Sequence, residues 1–315
     1  METIANIPEP GFSLLPEYLF GLNPGPPQSP PRTAHTMFPS ASSHPAAATP
    51  HRVQVDHVRL EKEIALAARV QSRFQPPNTA LEHGSHIWGI SRPAAQVGGD
   101  IYDWIALPDG SWIVYVADIS DKGVPAALFM SALWFRIRSE VQRSTDITAV
   151  LKALNTVFFP VMAPEGFFAT IIISRYQPRS GCLTLVSGGH PPALHFSGTD
   201  GTIRPMPQSK NVALGLQPDS SYTATEFTLP AGDSILLYTD GVTEAMNPSR
   251  CFFGTQGVAI NSQTRVGPPW SRGLMDAIGK WCAPNAPQDD LTLVELWRDP
   301  RNGHRPPGPQ DLHES

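Results

Sequence analysis

The chain has 315 residues, 41% of them hydrophobic, enough apolar material to bury the core of one large domain or two modest ones. Its net charge is −5 and no block of Lys and Arg occurs, which argues against nucleic acid or an anionic membrane as a main partner. Three cysteines, Cys182, Cys251 and Cys282, fit neither a disulfide framework nor a zinc site and suit a reducing cytoplasm.

Residues 1–52 are rich in Pro, Ala, Ser and Thr, a composition that cannot offset the entropy of ordering, so a disordered tail is expected. A docking motif around Leu14 to Leu22 is a second use for its apolar patch. The start METIANIPEP lacks the basic and apolar blocks of a secretory signal. No uninterrupted run of about 18 apolar residues follows, so no membrane span is expected and a cytoplasmic protein is.

The segment VRLEKEIALAARVQSRFQPP predicts a helix, within a unit spanning 53–76. Leu60, Ile64, Ala67, Gln71 and Phe74 recur at spacings of four and three, and Pro76 is expected to end it. Such a helix packs on its own domain or pairs with a second copy; fewer than three heptads do not decide which. From Ile87 onward the patterns are mostly strands. DIYDWIAL and SWIVYVAD form a hairpin about LPDG. GVPAALFMSALWFRIRSEVQ and DITAVLKALNTVFFPVM read as two apolar-faced helices, the second capped by Asp146. FATIIISRYQPRSGCLTLVSGGH is another hairpin. Further strands are predicted at TATEFTL, DSILLYTD and LTLVELW, with a helix at RGLMDAIGKWC and a second tail over 299–315. Helices inserted between hairpin-linked strands predict an α+β layered domain over 77–298 rather than a doubly wound parallel sheet.

Acids recur in one setting. Asp100 lies in GGDIYD, Asp118 ends IVYVAD, Asp240 ends ILLYTD, and Asp289 with Asp290 opens LTLVELW. Strand-end carboxylates beside glycines can leave a sheet and converge at one rim. An all-oxygen cluster suits hard divalent cations such as Mg²⁺ or Mn²⁺. Two such ions acidify a shared water and neutralise phosphoryl charge, the requirements of an in-line phosphate displacement. A lone TDG is most simply a turn carboxylate, and spacing leaves open whether the four acids meet.

Six blocks in order, LAARVQSRFQPP, AAQVGGDIYDWIALPDGSWIVYVADISDKGVPAALFMSAL, FFATIIISRYQPRSGCLTLVSGGHPPAL, NVALGL, AGDSILLYTDGVTEAMN and PQDDLTLVEL, resemble the metal-dependent PPM serine/threonine phosphatases in their SpoIIE/RsbU branch, over residues 60–298. The resemblance implies a four-layer α-β-β-α sandwich of two antiparallel sheets flanked by helices, with two Mn²⁺ or Mg²⁺ ions at one end. It implies that Asp100 bridges both ions and that Asp118 binds one, with the carbonyl of Ile119 nearby. Asp240 and Asp289 would hold the other, and metal-activated water replaces a protein nucleophile. Asp290 stands where many relatives have Asn, which favours Asp289 of the pair.

Other positions are read against the same pattern. Asp103 keeps the GGDxYD wording, as support for the site, a further metal ligand or a structural cap. Gly98 and Gly99 are expected to supply backbone freedom, and Gly123 to Met130 a helix start under the site, where Ala126 and Ala127 allow close approach. His190 of GGHPP is expected to turn the chain rather than act as an acid. Asp121 replaces a usual Gly, and Ser187–Gly188 replaces a usual Asn–Ala.

The implied substrate is phosphoserine or phosphothreonine on a STAS-type anti-anti-sigma protein. Relatives commonly carry a sensor domain, for which the Pro-rich stretch leaves no room. Control is therefore expected from homodimerisation through residues 56–75 or from a protein docking there. A pseudophosphatase acting as a binding module is the alternative. A two-metal phosphodiesterase or nuclease is disfavoured, since basic, aromatic-laced segments are missing.

Overall fold

The computed structural model describes residues 50–263 and 268–300. The predicted tails, and the motif at Leu14 to Leu22, fall outside those residues except at 50–52, which are helical, and 299–300. Helix α1 (Pro50–Gln71) leads into β1 (Thr79–Glu82), β2 (Ser85–Arg92) and the predicted hairpin β3 (Ile101–Ala106) and β4 (Trp112–Ile119). Helices α2 (Val124–Arg143) and α3 (Ile147–Met162) precede the second hairpin, β5 (Ala169–Gln177) and β6 (Cys182–Gly188). Then come β7 (Leu194–Phe196), β8 (Ile203–Pro205), β9 (Thr225–Thr228) and β10 (Ser234–Tyr238). The order closes with α4 (Asp240–Glu244), α5 (Gly254–Gln263), α6 (Leu274–Cys282) and β11 (Leu291–Arg298).

The strands form two antiparallel sheets, ordered β1-β2-β11-β10-β7-β8 and β3-β4-β5-β6-β9. β4 shows why strict alternation is missing from its sequence. Val114 and Val116 face Ile235, Leu237 and Val294 of the other sheet, while Ile113, Tyr115 and Ala117 face Met130 and Leu133 of α2 and Leu154 of α3. Covered on both sides, the strand reads as a continuous apolar run. On the far side, Leu274, Ile278 and Cys282 of α6 cover Tyr238, Leu291 and Leu293. Helices on one sheet, two sheets face to face, and helices on the other make the expected four-layer α+β sandwich.

Helix starts follow the sequence. Asp146 caps α3 by accepting from the Thr148 N–H at 2.9 Å, and Pro125 sits in the first turn of α2. The helical stretch Ile147–Glu165 is long and apolar enough to cross a membrane by length and composition alone, with a mean hydropathy of 1.4. Val150, Leu151, Leu154 and Phe158 along it are buried in the domain's own core. The helix α1 begins at Pro50 and ends at Gln71, short of Pro76. A tight turn there, in which the Phe74 N–H donates to the Gln71 carbonyl at 3.0 Å, swings Phe74 onto Trp134 and Phe135 of α2.

Candidate metal centre

Antiparallel register brings the predicted acids to one rim. Asp100 immediately precedes β3, and Asp118 is the penultimate residue of its partner β4, with Ile101 opposite Ala117. Asp240 opens α4 just beyond β10, and Asp289 and Asp290 directly precede β11, with Tyr238 opposite Leu293. Asp100 crosses between the sheets: its Oδ2 accepts from Thr239 Oγ1 at 2.8 Å and Thr292 Oγ1 at 2.6 Å.

Burial and neighbouring charge raise the pKa values of Asp100, Asp118 and Asp240. Burial, followed by the Asp118 charge, pushes Asp100 well above the usual carboxylate range. Asp118 is pushed up to about 7, by burial first and then by Asp240 and Asp289. Asp240 is raised by burial and then by Asp289, partly relieved by Lys122. Asp118 is thus the acid that feels the charges of both Asp240 and Asp289.

Mutually repelling oxygen donors without a nitrogen or sulfur ligand fit a hard cation such as Mn²⁺ or Mg²⁺. Among the described residues no three ligating side chains are drawn around one point. Instead the Lys122 ammonium lies 2.9 Å from Asp289 Oδ1 and 2.5 Å from the Gln288 carbonyl, bringing positive charge to the Asp240–Asp289 side.

Asp290 is buried, and its two oxygens accept from the Ala94 N–H and the Gly99 N–H, each at 2.7 Å. It therefore builds the loop that presents Asp100, leaving the half-exposed Asp289 as the acid facing the rim. Gly98 and Gly99 serve close packing rather than backbone freedom, since neither has a positive φ. A Cβ on Gly98 would lie 2.4 Å from Asp290 Oδ2, and one on Gly99 would lie 2.9 Å from the Ile119 carbonyl oxygen.

Asp103 faces away from the rim and pairs with Arg138 of α2 at 2.7 and 3.0 Å, while accepting from the Trp104 N–H. It ties β3 to α2. Asp121 has φ 69°, the left-handed region, which accounts for the usual glycine there. Its Oδ1 accepts from the Lys122 N–H at 2.8 Å, a local bond by which Asp tolerates this conformation. His190 is buried, with Nδ1 2.8 Å from Thr170 Oγ1 and Nε2 2.9 Å from the Tyr238 carbonyl. Burial lowers its pKa to about 4, so it stays neutral and braces the chain two residues before Asp240. Ser187 completes that turn, its hydroxyl donating to the His190 carbonyl at 3.0 Å.

Gln71 was legible only as a helix-face position, yet its amide makes two bonds to Gly98: Nε2 donates to the carbonyl at 2.6 Å, and Oε1 accepts the N–H at 3.1 Å. Thr239 and Thr292 were also missed, although both stand within three residues of a flagged acid in YTDG and DDLT.

Two facing antiparallel sheets with acids at one rim define a PP2C-like sandwich. The SiaA PP2C domain of Pseudomonas aeruginosa shares this fold, with a TM-score of 0.67 at 18% identity over 78% of this chain and 99% of that one. The RsbU and RsbW domains of a Mycobacterium tuberculosis protein superpose with a TM-score of 0.58 at 25% identity, over 71% of this chain and 62% of that one.

The chain belongs to the SpoIIE family: the family model for stage II sporulation protein E matches residues 108–299, which include Asp118, Asp240 and Asp289. It is 32% identical over 185 residues to the phosphoserine phosphatase RsbU of Bacillus subtilis, spanning 59% of this chain and 54% of RsbU. Protein IcfG of Synechocystis is 27% identical over 228 residues, spanning 64% of this chain and 35% of IcfG. The chain thus spans about half or less of these relatives' lengths.

Proposed function

We propose that the protein is a metal-dependent serine/threonine phosphatase that hydrolyses phosphoserine or phosphothreonine on a STAS-type regulatory protein in the cytoplasm. The observation that supports this reading is the grouping of strand-end acids at one rim, where burial and neighbouring charge hold Asp100, Asp118 and Asp240 above the usual carboxylate range. Two ions of Mn²⁺ or Mg²⁺ fit the set. Asp100, Asp118 and the Ile119 carbonyl would hold one, and Asp118, Asp240 and Asp289 the other. This moves the bridging role from Asp100 to Asp118. When bound, such ions acidify a water and neutralise phosphoryl charge.

The chain's own groups leave the attack to water. The hydroxyls of Thr239 and Thr292 are both directed at Asp100. Asp290 and Gln71 hold the Gly98–Asp100 loop in place.

RsbU is named a phosphoserine phosphatase, which supports the reaction class. The segment 53–76 is assigned to control, with homodimerisation through residues 56–75. Val58, Leu60, Leu66 and Val70 are exposed along α1, and a groove of about 350 Å³ separates it from Val124 and Leu128 of α2. Light scattering of the chain with and without residues 1–75 tests the dimer; a monomer in both cases removes it.

The reaction is tested with a phosphopeptide and p-nitrophenyl phosphate, with Mn²⁺ or EDTA, for wild type and Asp240→Asn. Turnover that needs Mn²⁺ and is lost in the variant is expected. Turnover in EDTA, or unaffected by the substitution, overturns the mechanism, and a folded wild type that binds Mn²⁺ without turnover identifies a pseudophosphatase.

A further inference from the structure

Thr239 stands at the N-cap position of α4, where a threonine ordinarily accepts a bond from its own helix; no such bond forms. Its Oγ1 accepts instead from the Thr292 N–H at 3.0 Å, so its single proton is left to point at Asp100 Oδ2, 2.8 Å away. Thr292 Oγ1 lies 2.6 Å from the same oxygen and 2.9 Å from Ser91 Oγ. Thr292 also has one hydroxyl proton. With that proton directed at Asp100 Oδ2, it is Ser91 Oγ that donates to Thr292 Oγ1. Thr239 and Thr292 are both fully buried, so water does not compete for these bonds.

We propose that Thr239 and Thr292, with Ser91 behind Thr292, are positioning residues that fix the rotamer of Asp100 by saturating Oδ2 and leaving Oδ1 for the cation. The inference rests on the metal-centre reading above. Asp100 belongs to one sheet and both threonines to strand ends of the other. Each threonine also stands beside a proposed ligand, Thr239 directly before Asp240 and Thr292 three residues after Asp289. The hydroxyls therefore hold the two halves of the ligand set in one register. Hydrogen-bond partners that orient a metal ligand typically govern about 10–100-fold in affinity or activity when removed.

Removing the donors without changing shape is the test, through Thr239→Val and Thr292→Val, with Thr239→Ser and Thr292→Ser as rescue variants. Mn²⁺ binding is measured by calorimetry and by electron paramagnetic resonance of the bound ion. Thermal unfolding in EDTA monitors the fold, and kcat and KM are taken with p-nitrophenyl phosphate. The expected result is Mn²⁺ affinity lowered about 10–100-fold in each valine variant, an altered resonance spectrum, kcat reduced with KM little changed, and recovery in the serine variants. If a valine variant fails to fold, its serine partner and the other site carry the comparison, and serine variants that bind Mn²⁺ as wild type does are required. Valine variants that bind Mn²⁺ with wild-type affinity and spectrum overturn the proposal. A wild type that binds no Mn²⁺ overturns the metal-centre reading instead, so the two failures are distinguishable.

Discussion

Neutralising Asp118 should stabilise the ion-free protein while removing its response to Mn²⁺. Asp118 is raised from its ordinary value of 3.8 to about 7, chiefly by burial and then by Asp240 and Asp289. At roughly 1.4 kcal/mol per pKa unit, ionising it at pH 8 costs the folded state about 4 kcal/mol. Its neighbours redistribute their own protons once it is neutral, so about half of that, ~2 kcal/mol, is the working gain for Asp118→Asn. For a domain of this size it amounts to a rise of about 4–8 °C in Tm.

The sign follows from the direction of the shift. Below about pH 4 the group is protonated in both folded and unfolded chains and contributes nothing. Between about pH 4 and 7 only the unfolded chain releases the proton, so folded stability falls as pH rises, and the full cost is present above pH 7. Differential scanning calorimetry in EDTA from pH 4 to 9 should show this decline for wild type and a flatter profile for Asp118→Asn. Excess Mn²⁺ should raise the wild-type Tm and leave the variant's unchanged. A variant that melts at or below wild type in EDTA at pH 8, with the same pH slope, would refute the electrostatic reasoning.

Gln71→Ala removes both bonds to Gly98, about 1–3 kcal/mol of loop ordering, and should raise the Mn²⁺ concentration for half-maximal turnover several-fold. Gln71→Glu should fare no better, since a carboxylate cannot donate to the Gly98 carbonyl; titrating Mn²⁺ against p-nitrophenyl phosphate hydrolysis checks both. Asp103→Asn breaks a buried ion pair and should cost about 2–3 kcal/mol, below the full range for such pairs because Arg138 is 38% exposed. Urea unfolding reads that loss, and the number of Mn²⁺ ions bound, measured on the folded variant, should not change.

The layers were legible because burial leaves a mark on sequence. β4 is apolar on both faces because it is covered on both, and Asp146 announces the start of α3 by the cap it makes. The acids were legible because they interrupt apolar strands at their ends. What a one-dimensional reading lacks is register across the two sheets. Asp100 and Asp118 both look like strand-end acids, and the sequence does not show that the charges of Asp240 and Asp289 fall on Asp118. Asp289 and Asp290 are adjacent and identical in type, yet one faces Lys122 at the rim and the other is enclosed by the Ala94 and Gly99 amides. The hydroxyls that hold Asp100 come from 139 and 192 residues away, a separation over which no periodicity carries a signal.

That separation has a consequence for how the site can be controlled. Asp100 and Asp118 belong to one sheet, Asp240 and Asp289 to strand ends of the other, so the proposed ligand set would hold together only while the sheets keep their register. The inner layer sets that register deep in the sandwich through Val114, Val116, Ile235 and Val294. At the rim it passes through fewer contacts, the Asp100 bonds to Thr239 and Thr292 and the Asp290 bonds to the Gly98–Asp100 loop. Gln71 grips that same loop from outside both sheets. Gln71 is therefore the side chain that links α1 to Asp100 through Gly98. Activity tuned by α1 would then appear in cation affinity well before it appeared in global stability.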